Sequence, residues 1–208
     1  MKRSFRWGFA LATVSSVLFA TPANAQWAHL VLDSEQGDTI GGGLDWDIWY
    51  TPATSDFWFA YVNNNVTGAP AFLTFNLGAV ASGPDDTLLG ASFSSSAMGQ
   101  PLTVGTYLDA ERAAFASAGH PGLDVSFQNR GSNTVTGWFE VESILYHADA
   151  TALNGFVIDY FRVNFEQHSE GLEPALFGTF EYSAVPEPAT ALALAPVLLL
   201  MRRRKANS

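Results

Sequence analysis

The sequence predicts an all-β domain, an antiparallel β-sandwich of jelly-roll-like layout, held between two terminal hydrophobic helices. Three observations point there. Apolar and polar residues alternate with a period of two in short runs, most clearly in Leu44-Asp45-Trp46-Asp47-Ile48-Trp49-Tyr50, and that period sends successive side chains to opposite faces of a strand. Turn formers separate the runs: Gly41-Gly42-Gly43, Ser82-Gly83-Pro84-Asp85-Asp86 and Gly119-His120-Pro121-Gly122. Residues 26–185 also hold 24 aromatic side chains, enough for one two-layer core.

The strands follow in chain order. The first spans 27–33. In the second, 44–50, Leu44, Trp46, Ile48 and Tyr50 share a face, and Trp46 and Trp49 project oppositely. The third, 56–63, is aromatic on both faces, which suits a central strand, and Asn63-Asn64-Asn65 then turns the chain. Residues 71–77, 123–128, a long 134–146, a long 156–167 and 175–182 complete the set. Only 108–117, around Asp109-Ala110-Glu111-Arg112-Ala113-Ala114, invites a helix, and between Gly105 and Gly119 it suits an extended loop equally well. No repeat or linker divides 26–184, so it reads as one domain of the 208-residue chain.

Charge is distributed unevenly. Seven of the ten basic residues sit at the tips, and residues 26–185 carry three arginines against nineteen carboxylates, a net charge of −16 without a lysine. So acidic a body excludes nucleic acid and anionic membrane faces as partners, because both need a basic patch. The absence of cysteine excludes disulfides and thiolate metal sites.

Both ends read as addresses. Lys2, Arg3 and Arg6 precede an apolar stretch 7–20, and Thr21-Pro22-Ala23-Asn24-Ala25 places Ala23 and Ala25 at the −3 and −1 positions of a cleavage site. Residues 1–25 are thus expected to be a secretory signal peptide, removed by signal peptidase to leave Gln26 first. At the other end, Val185-Pro186-Glu187-Pro188 leads into the apolar run 189–201 and then Arg202-Arg203-Arg204-Lys205. Thirteen residues at about 1.5 Å each make a marginal transmembrane helix of ~20 Å. The basic cluster is a strong cytoplasmic stop, which puts the body outside.

Pro186-Glu187-Pro188, the apolar run and the arginine-rich end together resemble the PEP-CTERM sorting signal. The resemblance covers 185–208. It implies recognition and removal by an exosortase, a membrane protease of Gram-negative bacteria, in a host that makes exopolysaccharide. The body resembles an uncharacterised family of exported bacterial β-domains. The match runs through Gly37-Asp38-Thr39-Ile40-Gly41, Gly105-Thr106-Tyr107 with Ala110 and Arg112, Pro121-Gly122-Leu123, and Asn129-Arg130-Gly131-Ser132-Asn133. It continues through Gly137-Trp138-Phe139-Glu140-Val141, the segment from Phe165 to Gly171, and Pro174-Ala175-Leu176-Phe177-Gly178. This likeness brings no activity. The chain departs from it at Asn129, where the pattern has glycine, and at Ser132 and Ser169, where it has cysteines. The resemblance implies that Ser132 and Ser169 lie side by side; chain order separately suggests that the two long strands form a hairpin through 147–155, whose open end would bring the two serines together.

Chemistry is sparse. None of His29, His120, His147 and His168 has ligand spacing, though Glu166 and Glu170 flank His168. No G-x-S-x-G elbow is present. Glu140, Glu142 and Glu166 could supply a glycosidase pair, but Glu140 and Glu142 share a strand face where solvent exposure accounts for them. No cofactor is implied beyond calcium, for which Asp33, Asp38, Asp45 and Asp47, with Glu35, Asp85 and Asp86, are hard oxygen ligands outside any EF-hand order. Trp49 or Trp58 could serve as a sugar platform. The expectation is an exported, exosortase-sorted, non-enzymatic protein of the cell surface or extracellular matrix, associated with exopolysaccharide. A carbohydrate-binding module is the alternative, and an enzyme acting on polysaccharide the third reading.

Overall fold

The computed structural model describes residues 26–81 and 85–184. The signal segment with Ala23 and Ala25, the sorting motif Pro186-Glu187-Pro188, the apolar run and Arg202 to Lys205 lie outside the described residues, as do Ser82, Gly83 and Pro84. The described chain is all-β. Its strands are β1 (Trp27–Ser34), β2 (Trp46–Tyr50), β3 (Phe57–Val66), β4 (Ala69–Gly78), β5 (Leu89–Ser94), β6 (Gly105–Arg112), β7 (Gly122–Phe127), β8 (Val135–Ala148), β9 (Phe156–Ser169) and β10 (Ala175–Ser183). Helical backbone among the described residues is limited to 3₁₀ turns of three residues each. No helix there is long and apolar enough to cross a membrane.

The strands form one hydrogen-bonded sheet in the order β2-β1-β10-β9-β8-β6-β7-β5-β4-β3. All neighbours are antiparallel except β6 and β7, which run parallel and pair at only two positions, Glu111↔Gly122 and Arg112↔Leu123. At that narrow link the sheet folds over, so six strands face four across a common core. Aromatic rings carried by alternate residues meet between the layers. Phe75 on β4 stacks on Phe161 of β9 at 5.5 Å and packs edge-on to Phe180 of β10 at 4.8 Å. Phe93 on β5 meets Phe139 and Phe161, each at 5.5 Å. These five rings are fully buried, and each contributes roughly 1.5–3 kcal/mol of burial free energy.

The fold at the β6–β7 link leaves β7 without a strand neighbour on its β6 side beyond Leu123, while β5 pairs along its other side, and a side chain takes the missing place. Gln167, fully buried on β9, accepts from the Val125 amide at 2.8 Å and donates to the Val125 carbonyl at 2.9 Å. One amide thereby satisfies both backbone groups of a residue that would otherwise be buried unpaired.

Three expectations are corrected. The helix candidate at 108–117 is instead the end of β6 followed by a 3₁₀ turn, Ala113–Phe115. A register shift between Tyr107 and Ala110, with Asp109 at φ 54°, makes the bulge there. The third strand is not central: β3 ends the sheet, with Phe57 and Phe59 exposed on its outer face. β5 is absent from the strands expected of the sequence, because its outward positions Gly90 and Ser92 carry no hydrophobic pattern to read.

The long strands do form a hairpin, β8 with β9, in the register Val135↔Ser169 to Ala148↔Phe156. At its open end Ser132 Oγ donates to Ser169 Oγ at 2.6 Å, both side chains buried. The two serines therefore sit side by side, where the resemblance puts a pair of cysteines.

Candidate functional site

The outer face of the six-stranded layer carries the candidate platform. Cross-strand pairing sets His29 of β1 opposite Trp49 of β2. Both point outward, because Ala28, Leu30 and Tyr50 occupy the inward positions. The imidazole and indole stack at 4.1 Å and 10°, and Trp27 lies tilted against Trp49 at 5.4 Å. Trp49 keeps 60% of its surface exposed with one face covered by His29, and its strand is the sheet edge, so the remaining exposure is apolar ring in solvent. His29 is held by Asp47, Nε2 to Oδ1 at 2.8 Å. The arrangement is an immobilised aromatic surface with polar groups beside it, which suits stacking against the apolar face of a sugar ring.

Trp58 is no second platform. Its ring is half-buried against the core near Tyr182, at 6.0 Å, and its Nε1 donates to Gln26 Oε1 at 3.1 Å. Trp46 turns inward, edge-on to Phe127 at 5.2 Å, with Nε1 donating to the Gly41 carbonyl at 3.0 Å.

The four aspartates considered for calcium do not converge. Asp38 is buried and its carboxylate is consumed locally by Ser34 Oγ at 2.8 Å and the amides of Ile40 and Gly41 at 3.1 and 2.7 Å. It ties the loop after β1 rather than offering free oxygens. Asp47 is bound to His29, and Asp33 and Asp45 stand apart in solvent. Among the described residues no group of three or more His, Asp or Glu side chains is arranged to hold a metal ion.

Of the three carboxylates raised for catalysis, Glu140 is exposed on β8, and Glu142 and Glu166 are engaged. Glu142 pairs with Arg162 and accepts from Asn164 Nδ2 at 2.6 Å, while Arg162 Nη1 also reaches Glu181 at 3.0 Å. Glu166 accepts from Trp138 Nε1 at 2.8 Å and pairs with His168 Nε2 at 2.9 Å. Those bonds hold the Glu166 carboxyl below its ordinary value, the hydrogen bond from His168 having the larger part, and raise His168 in return. Glu170, the other neighbour of His168 in sequence, turns away and accepts from the Asn133 amide.

A second concavity lies on the outer face of the four-stranded layer, a groove of about 470 Å³ running over β5 and β7. Two of the three arginines of the body, Arg112 and Arg130, line it. Arg112 is paired with Asp124, Nε to Oδ2 at 3.1 Å. Arg130 has no carboxylate within ion-pair distance among the described residues, and its buried Nε has no hydrogen-bond partner. Sequence reasoning placed Arg130 only as part of a motif. The available signal was the scarcity of cations, which makes any unpaired one conspicuous. It likewise missed Trp27 and His29, whose partnership with Trp49 exists only across strands.

Compared with protein-family models, with curated proteins and with solved structures, the chain matches none of them.

Proposed function

We propose that this is an exported, exosortase-sorted, non-enzymatic protein of the cell surface or extracellular matrix, whose β-domain associates with exopolysaccharide. The two address sequences carry the reading, and one structural observation supports it. β1 and β10 are hydrogen-bonded neighbours in the register Trp27↔Ser183, so both terminal segments leave the domain from the same end. A domain tethered this way through its C-terminal segment keeps its opposite end away from the membrane. Intact-mass analysis of surface-released protein tests the proposal. The expected product lacks residues 1–25 and everything after about Pro188, and a strain without exosortase retains the tail. Released protein still carrying Arg202 to Lys205 would defeat the sorting part.

A carbohydrate-binding module is the second reading, favoured by Trp49 on its His29 support. Stacking of an exposed ring is worth about 0.5–1.5 kcal/mol, so W49A should weaken retention on the host polymer by roughly two- to tenfold. Retention unchanged in W49A would remove the platform. Hydrolysis assays on the same polymer test the third, enzymatic reading.

A further inference from the structure

We propose that the groove over β5 and β7 is a binding site for an oxyanion-bearing glycan, with Arg130 as the residue that meets the anion. The proposal deepens the exopolysaccharide reading and depends on it for the source of the ligand.

The argument begins with charge. In a body of net charge −16, every arginine has a surplus of carboxylates to choose from. Arg162 takes two of them and Arg112 takes one. Arg130 takes none. The one hydrogen bond of its guanidinium to a described residue runs from Nη2 to Gln128 Oε1 at 2.8 Å, a neutral acceptor. A guanidinium presents five N–H donors in a planar fork, so most of this fork is unspent, and a partly buried cation without a counter-charge is costly to hold.

The surroundings fix the guanidinium in place. It lies on the backbone of Gly42, where a Cβ would come within 2.5 Å of Nη1 and 3.4 Å of Cζ. Gly42 has φ +74°, so its backbone conformation calls for glycine, and an added Cβ would push the guanidinium aside. The cation is thus seated rather than swinging in solvent.

The groove beside it has the chemistry of a saccharide site. Its floor is Gly90, where a side chain would run into Ser126 Oγ at 2.6 Å and approach Asn76 Oδ1 at 3.5 Å. With no side chain there, the hydroxyl of Ser126 and the amide of Asn76 stand on either side of an open trough, and Ser92 continues the row. The one carboxylate of the lining, Asp124, is already matched by Arg112. An anion entering therefore meets no unpaired negative charge. A volume of about 470 Å³ falls within the range of small-ligand clefts.

Position agrees with this use. Residues 128–133 lead into Val135, which pairs with Ser169 at the end of the β8–β9 ladder remote from the Trp27↔Ser183 end. Arg130 therefore stands at the end of the domain away from the chain termini. Planar bidentate recognition of a carboxylate is what an arginine fork does best, so the class of ligand is a uronic-acid-containing chain. A sulfated sugar or free phosphate shares the oxyanion chemistry and is separated by the test.

The test titrates the full chain calorimetrically, at low ionic strength, with an oligouronate of five or six residues, a sulfated oligosaccharide, a neutral oligoglucan of the same length, and inorganic phosphate. The expected result is binding of the oligouronate that weakens with salt, and little or no binding of the neutral oligomer. R130Q should lower the affinity at least tenfold. R162Q removes the same charge at a paired position and should leave it unchanged. If R130Q does not fold, S126W decides, since its indole would fill the trough from a half-buried position on the outer face of β7. Equal binding of acidic and neutral oligomers would overturn the proposal, as would unchanged affinity in R130Q or S126W, or binding by none of the four probes. Preference for the sulfated chain would overturn the uronate assignment and keep the oxyanion site, whereas binding of phosphate alone would overturn the glycan. These outcomes are independent of the tail: intact processing with no groove binding defeats this inference alone, and retained tails with groove binding defeat the sorting reading alone.

Discussion

The two layers are closed along two seams, and the seams are built from different materials. On the β6–β7 side the backbone itself crosses, but through only two residue pairs, and buried polar groups complete the closure: Gln167 on Val125, and Ser132 on Ser169. On the β2–β3 side no backbone pairing crosses between the edge strands. There rings and their polar tips span the gap, Trp58 against Tyr182 with Nε1 on Gln26, and Tyr50 with its hydroxyl on the Thr87 carbonyl at 3.0 Å. The first seam places few groups, each in one fixed geometry. The second relies on area, which tolerates adjustment. A loss at the first seam should therefore be abrupt, and a loss at the second graded.

Gln167 gives the largest effect. Q167L leaves the Val125 amide and carbonyl both buried without partners, and an unsatisfied buried group costs about 1–3 kcal/mol. The expected loss for the two groups together is roughly 2–6 kcal/mol by denaturant unfolding. A loss below about 1 kcal/mol would mean that water or a shifted strand replaces the side chain, and that the seam is not held by this amide.

The serine pair allows the same seam to be strengthened. Adjacent Oγ atoms at 2.6 Å suggest that S132C with S169C closes a disulfide under oxidising conditions. Constraining the loop between them should stabilise the domain by roughly 2–4 kcal/mol. Reduction should abolish the gain. If the oxidised double variant fails to crosslink, or is no more stable than its reduced form, the side-by-side geometry is wrong.

Tyr50 probes the other seam. Its phenol is pushed well above the ordinary value, by burial first and by Asp86 second, so at neutral pH it is a neutral donor to Thr87. Y50F keeps the ring and removes one hydrogen bond, for which about 1 kcal/mol is expected. An effect as large as that of Q167L would erase the distinction between the seams.

Much of this architecture could be read in the sequence, and the exceptions are instructive. The β8–β9 hairpin was legible because two long strands follow one another in the chain with only a short connection between them. β5 was not, because its outward residues are glycine and serine where the groove floor needs to be empty. β3 looked central because Phe57, Trp58 and Phe59 are consecutive aromatics, yet two of those rings face solvent on an edge. Of the candidate sites, Trp49 was visible from alternation alone. Arg130 was not: an arginine without a counter-charge is defined by what surrounds it, and pairing across strands is a fact of space rather than of order along the chain.

The smallest expected effect belongs to His168 and Glu166, on the outer surface of β9 beside the first seam. Glu166 is held below its ordinary value chiefly by the bond from His168, and His168 is raised chiefly by the same bond. Because the carboxyl is depressed in the folded state, its stabilisation is present above the unfolded glutamate value and fades as pH falls through the folded one. The imidazole works in the opposite sense: its contribution is complete below the unfolded histidine value and is lost as pH rises through the raised folded value. The two conditions overlap only between the depressed carboxyl and the raised imidazole, so the pair should add stability in mildly acidic solution and decline on either side. Both side chains are about a quarter exposed, so solvent screening limits the gain to about 0.5 kcal/mol. H168Q should keep a hydrogen bond to Glu166 and flatten that part of the pH–stability profile. The measurement is the difference in unfolding free energy between the wild type and H168Q across pH 4 to 8, in which the expected maximum lies near the middle of the interval, roughly between the ordinary glutamate and histidine values. A difference that stays constant with pH would show that folding shifts the titration of neither group, and the contrast between a polar seam and an aromatic one would then rest on buried groups alone.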